Sequence, residues 1–132
     1  MNPTLANAAP AQPSGIINID QALQQAIAHH QAGQLQNASN LYYKILDVQP
    51  NHPDANHNLG VLAIQIKRPA EALPHFKAAL QANPIQGQYW LSFIAALIQT
   101  GQTESAKWTL EQARLRGLQG EAAEALNRQL NG

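Results

Sequence analysis

The chain is predicted to be all-α: a right-handed superhelical solenoid of three helix-turn-helix units closed by a C-terminal capping helix. Three observations predict it. Ala38, Ala72 and Ala106 recur at a spacing of 34 residues, a length characteristic of paired-helix repeats. Large and helix-ending residues keep the same register: Tyr42, Phe76 and Leu110 follow the alanines, then Ile45, Ala79 and Ala113, then Pro50, Pro84 and Leu118. Between these markers, apolar residues recur at helical spacing in short segments punctuated by glycine and proline.

Each element follows from local chemistry. Residues 1–17 are rich in Asn, Ala, Pro and Gln, cannot bury enough to offset their ordering entropy, and are expected to form a disordered tail. Residues 18–132 form the folded region. The first helix is predicted from Asp20 to Ala32, ending at Gly33, which suits a left-handed C-terminal position. Its partner runs from Gln36 to Val48, before Pro50. Pro53 opens the third helix and Pro69 the fourth, because a first-turn N–H has no intrahelical acceptor to lose. These helices run to about Ile66 and Ala82. Pro74, inside the fourth, is expected to bend it by crowding the Ala70 carbonyl. A fifth helix spans Gly87 to Gln99, before Gly101, and a sixth follows Thr103 as N-cap to about Arg116. The last, from about Gly120 to Leu130, gathers Ala122, Ala123, Leu126 and Leu130 and is expected to cover the open end of the stack. The repeats therefore divide at about 19–52, 53–86 and 87–120, with the capping helix at about 120–130.

Composition narrows the function. Lys plus Arg and Asp plus Glu number 8 each, so no net field draws the chain to nucleic acid or an anionic membrane. Polarity comes largely from 17 glutamines. Without cysteine there is no disulfide framework, thiol nucleophile or thiolate metal site. No apolar run reaches membrane-spanning length and no signal peptide is evident, so a cytoplasmic location is expected.

Within this frame the residues resemble the tetratricopeptide repeat family. The middle repeat carries Asn58, Leu59 and Gly60 in its first helix, Glu71, Ala72 and Leu73 opening its second, then Phe76, Ala79, Leu80 and Pro84. The first keeps Ala26, Gly33, Ala38, Tyr42 and Pro50. The third keeps Trp90, Gly101, Ala106 and Ala113, with Ile94 at the small position and Leu118 in place of proline. The resemblance implies a non-catalytic module that binds a protein or peptide in its concave groove, with no cofactor. It further implies that the first helix of each repeat lines that groove. The implied site is Leu23, Gln24, Ile27, His30 and Gln31 from the first repeat, and His57, Asn58, Val61, Ile64 and Gln65 from the second. Leu91, Ser92, Ile98 and Gln99 come from the third, and Asp20, Asp54, Gln88 and Ala95 complete the wall.

Two features of that wall suggest a mode. Gln31, Gln65 and Gln99 form a ladder of amides that can donate to and accept from a peptide backbone; ordinary half-exposed polarity is the alternative. Leu23, Ile27, Val61, Ile64, Leu91 and Ile98 make an apolar floor, fit for an apolar segment or for packing between neighbouring helices. Chaperone-binding members of the family clamp a terminal carboxylate with lysine, asparagine and arginine. Here only Asn58 matches, with Leu23 and Ser92 where cations are needed. The sequence is also similar to the repeat regions of bacterial O-linked N-acetylglucosamine transferases. Asn58 fits their asparagine ladder and Gln24 and Ser92 do not. The substrate-recognition region of a larger glycosyltransferase, and a self-associating homodimeric scaffold, are therefore the rival expectations.

Other chemistry is disfavoured. His29 and His30 diverge by about 100° on a helix and cannot share a metal ion. His52 and His57 lack a third ligand at a recognisable spacing, His75 is expected towards solvent, and His29 is expected between helices. No phosphate loop or nucleophile elbow occurs. The aromatic residues, without interleaved basic ones, read as core and interface.

Overall fold

The computed structural model describes residues 18–132, so the tail expected over 1–17 lies outside the described residues. The described chain is seven α-helices: α1 (Ile19–Gln31), α2 (Leu35–Val48), α3 (Pro53–Gln65), α4 (Pro69–Ala82), α5 (Gly87–Gln99), α6 (Thr103–Leu115) and α7 (Glu121–Asn131). Each packs on its chain neighbour, and α7 folds back on α5 as well as α6.

The helix ends explain the regularity. Behind α1, the Gly33 N–H donates to the His30 carbonyl and the Gln34 N–H to that of His29. This paired closure satisfies two carbonyls the helix leaves open, and it requires a left-handed residue. It recurs behind α3, α5 and α6. Gly33 and Gly101 fill the left-handed position with φ of 78° and Gly117 with φ of 103°. Behind α3 that position belongs to Lys67, at φ 65°. A side chain there costs about 1–2 kcal/mol, so the stacking imposes the turn against the local preference.

The helix starts are less uniform. Asn18 caps α1 by accepting from the Gln21 N–H at 3.0 Å. His52 caps α3 through Nδ1, accepting from the Ala55 N–H at 3.1 Å. Thr103 is the first residue of α6 rather than its cap; Gln102 precedes it and makes no side-chain capping bond. Pro74 does not interrupt α4, which runs unbroken from Pro69 to Ala82.

The repeating alanines Ala38, Ala72 and Ala106 are each fully buried, where the two helices of a pair meet. Gly60 meets the same constraint from the other side, because a Cβ there would overlap the Phe76 ring. The core continues as Tyr42 and Ile45, then Leu59 and Phe76, then Ile94 and Leu110. Leu126 and Leu130 of α7 pack against the last of these groups, so the end of the stack is covered. Tyr43 and Trp108, expected in core or interface, are instead 51% and 66% exposed. Both stand on second helices, Trp108 at a hollow shared with Phe93 and Leu97 of α5, and Tyr43 edge-on to the His75 ring of α4 at 6.2 Å.

Candidate functional site

The first helices α1, α3 and α5 stand side by side, and three side-chain contacts between them cross 35 residues each. A spacing one greater than the repeat joins a residue to its neighbour's next position along the adjacent helix. The three contacts form a polar seam on the wall that the family resemblance implies for the groove.

At the first junction, His30 lies between Tyr42 and Gln65. The Tyr42 hydroxyl lies 3.0 Å from Nδ1, and Nε2 lies 2.6 Å from Gln65 Oε1. An amide oxygen only accepts, so Nε2 carries the proton and Nδ1 accepts from tyrosine. Burial pushes the Tyr42 hydroxyl up to about 12, with Asn58 partly opposing, so it remains a donor. Ile27, His30, Gln31, Tyr42, Asn58 and Gln65 line a hollow of about 390 Å³ here.

At the second junction, the Tyr89 hydroxyl donates to Asp54 Oδ1 at 2.6 Å, a charge-assisted bond. Burial first, and then Asp54, push the Tyr89 hydroxyl up. Beside it the His57 ring lies 4.9 Å from the Tyr89 ring centre and 5.3 Å from that of Phe76. Its Nε2 is 2.8 Å from Ser92 Oγ, which also accepts from Gln88 Nε2 at 3.2 Å. Burial holds His57 below its ordinary value, against the opposing pull of Asn58 and Asp54. With the ring neutral, the tautomer sets which of Nε2 and Ser92 Oγ donates in this contact. A serine and a histidine in this contact have nucleophile-to-base reach, but the Asp54 carboxylate is turned to Tyr89 rather than to the imidazole.

The remaining assigned residues divide by burial. Leu23, Ile27, Val61, Ile64, Leu91 and Ile98 are all half-buried, neither sealed nor free. Leu23, Val61, Ile64 and Ile98 also pack against the core, which joins the floor to the folded interior. Asn58 and Ser92 are half-buried, and Gln24, Gln31, Gln65 and Gln99 are exposed. Only Gln65 of the amide ladder meets His30, so the three rungs are not equivalent.

Three side chains escaped the sequence reading. Tyr42 and Tyr89 fill core positions, yet both hydroxyls reach the polar seam; a buried tyrosine hydroxyl in need of a partner was the available signal. Asn56, 3% exposed, donates to the carbonyls of Pro50 and His52 at 3.1 and 3.2 Å. It also accepts from His75 Nδ1 at 3.2 Å. His75 is thus half-buried and bonded rather than turned to solvent, and burial holds it below its ordinary value. His29 is half-buried, with Nδ1 against Gln34 Oε1. Among the described residues no three His, Asp or Glu side chains converge to hold a metal ion, and no helix is long and apolar enough to cross a membrane.

Comparison with known proteins agrees with this architecture. The chain matches the family profile described as Tetratricopeptide repeat over residues 63–130, just over half its length. It is 33% identical over 60 residues to the cellulose synthase 2 operon protein C of Komagataeibacter xylinus, spanning 46% of this chain and 5% of that protein. Among solved structures it is similar to the first repeat domain of Spaghetti (RPAP3) bound to an HSP90 peptide, SRMEEVD. That likeness has a TM-score of 0.76 at 19% identity and covers 85% of this chain and 89% of the other. A second likeness, to pilF of Pseudomonas aeruginosa, has a TM-score of 0.73 at 19% identity over 86% of this chain and 52% of that one. At such identities the solved structures show a shared fold and no more. The 34-residue register, the seven-helix stack and the profile match agree: this chain belongs to the tetratricopeptide repeat family.

Proposed function

We propose that the chain is a non-catalytic interaction module that binds a largely apolar segment of a protein partner against α1, α3 and α5. The observation that carries this reading is the half-buried apolar floor, Leu23, Ile27, Val61, Ile64, Leu91 and Ile98, laid out on the face that carries the polar seam. Side chains left half-covered keep apolar area that a partner would remove from water, at about 25 cal/mol per Å². The edge amides and imidazoles offer donors and acceptors to a partner backbone. No lysine or arginine stands on these helices to clamp a terminal carboxylate, so the SRMEEVD peptide held by the Spaghetti domain is a poor guide to the ligand here.

Val61→Asp combined with Ile64→Asp places two charges on the floor at half-buried positions. Binding to a captured partner should fall at least about a hundredfold by isothermal titration, since desolvating each new carboxylate costs several kcal/mol. Helical circular dichroism should stay unchanged. Retained affinity removes the floor from the account.

A second reading makes this region the recognition part of a longer enzyme-associated protein. The match to the Komagataeibacter protein, of which the chain spans only 5%, favours it. Co-purification of a catalytic subunit with the chain supports this reading, and a partner without catalytic activity opposes it.

A further inference from the structure

The distribution of charge on the inner wall points to the chemistry of the occupant. All eight lysines and arginines lie outside α1, α3 and α5, on the second helices, the turns and the terminal helix. Random placement would set about a third of them on these three helices. The only full charges on the wall are two carboxylates, Asp20 and Asp54, at equivalent positions in the first turns of α1 and α3. Asp54 is exposed yet held in place, because the Tyr89 hydroxyl fixes one of its oxygens at 2.6 Å. Of the cations in the same repeat, Lys67 and Arg68 follow the far end of α3, about 20 Å along the helix axis from Asp54, and Lys77 stands on α4. Arg68 there is already paired with Glu71 at 3.4 Å. One lip of the groove is therefore acidic, the floor is neutral and apolar, and the three helices that carry both hold no lysine or arginine.

We propose that the groove takes a segment free of acidic residues, whose lysine, arginine or free amino terminus lies at the lip carrying Asp20 and Asp54 while its apolar part covers the floor. This rests on the groove being the binding face and adds the sign of the partner. An acidic residue at that lip would meet two like charges with no neighbouring cation to offset them. A basic one would add Coulomb attraction at the rim, where charge acts mainly on association rate and on the choice among partners. The half-covered floor supplies the rest and has no sign of its own.

The experiment is selection of a displayed random twelve-residue peptide library on the full chain, counter-selected on the Val61→Asp, Ile64→Asp chain. Peptides that depend on the floor should be enriched in lysine and arginine and depleted in aspartate and glutamate. Their affinity should fall about five- to tenfold in Asp20→Asn with Asp54→Asn, and the difference should shrink from 50 to 500 mM salt as screening takes over. Asp20→Asn alone, at an exposed site, guards against misfolding from loss of the Asp54 contact, and should give part of the same loss. Floor-dependent peptides that are acidic, or that bind the asparagine variants equally well, overturn this proposal and leave the groove reading standing. Recovery of no floor-dependent peptide overturns the groove reading itself, and this proposal with it.

Discussion

Histidine 57 shows how much one residue on this wall is asked to do. Its ring fills the space between Phe76 and Tyr89, and its Nε2 reaches Ser92 on the next first helix. Burial favours the neutral form, so its folded value lies below that of the unfolded chain, as does that of His75. The sign follows: on acidification the unfolded chain takes up these protons first. The stability contributed is fully present above about pH 6.5, the ordinary imidazole value, and is lost as pH falls towards the folded value. Urea midpoints should therefore fall between pH 7.5 and 5.5. His57→Phe, which keeps the ring packing and removes the titrating group, should make that fall shallower. An unchanged slope in the variant would place the acid sensitivity elsewhere.

The helices differ in what secures them. α1, α3, α5 and α6 end in the same left-handed closure, whereas α2 and α4 end before Gln49-Pro50 and Asn83-Pro84. α7 packs on α5 and α6 through one face, with Ala123 buried and Leu126 and Leu130 half-buried against the Ile94 and Leu110 group. Its two exposed ion pairs, Arg128 to Glu121 at 2.9 Å and Glu124 to Arg114 of α6 at 3.6 Å, add at most about 1 kcal/mol each. Packing is therefore the larger contribution. Leu126→Ala should cost about 2 kcal/mol, the lower end for a leucine because the site is half-covered, as measured by urea unfolding. The same change should hasten amide exchange in α7 before it does so in α3. Uniform acceleration across the chain would mean that α7 is not a separable cap.

At the scale of the whole molecule, stability is a sum of helix pairs and the junctions between them. The middle pair has neighbours on both sides, while among the described residues the first pair packs on α3 alone. Amide hydrogen exchange should accordingly show its strongest protection in α3 and α4, with openings of lower free energy towards the first pair. Strongest protection in α1 would contradict a nearest-neighbour stack. The polar seam belongs to this scale too. His30–Gln65, Tyr89–Asp54 and His57–Ser92 each tie one repeat to the next, and each sits at a different height on the wall. They cross the junctions between adjacent first helices, on the face proposed to meet a partner.

The helices and their pairing were legible from the chain alone, because what defines them is local. A proline or glycine acts within one turn, and an apolar face is a property of a single helix. Ala38, Ala72 and Ala106 and the small residue Gly60 were readable for the same reason: close approach leaves room for little else. What only the tertiary structure decided was the use of side chains that join distant residues. His75 turned inward to Asn56, Tyr42 and Tyr89 sent their hydroxyls to the wall, Lys67 accepted a glycine's backbone, and Trp108 remained uncovered. The physical reason is that a hydrogen-bond partner or a covering neighbour is chosen by the rotation of one repeat on another. That rotation is fixed by the packing of all the helices together, and no segment of the sequence carries it alone.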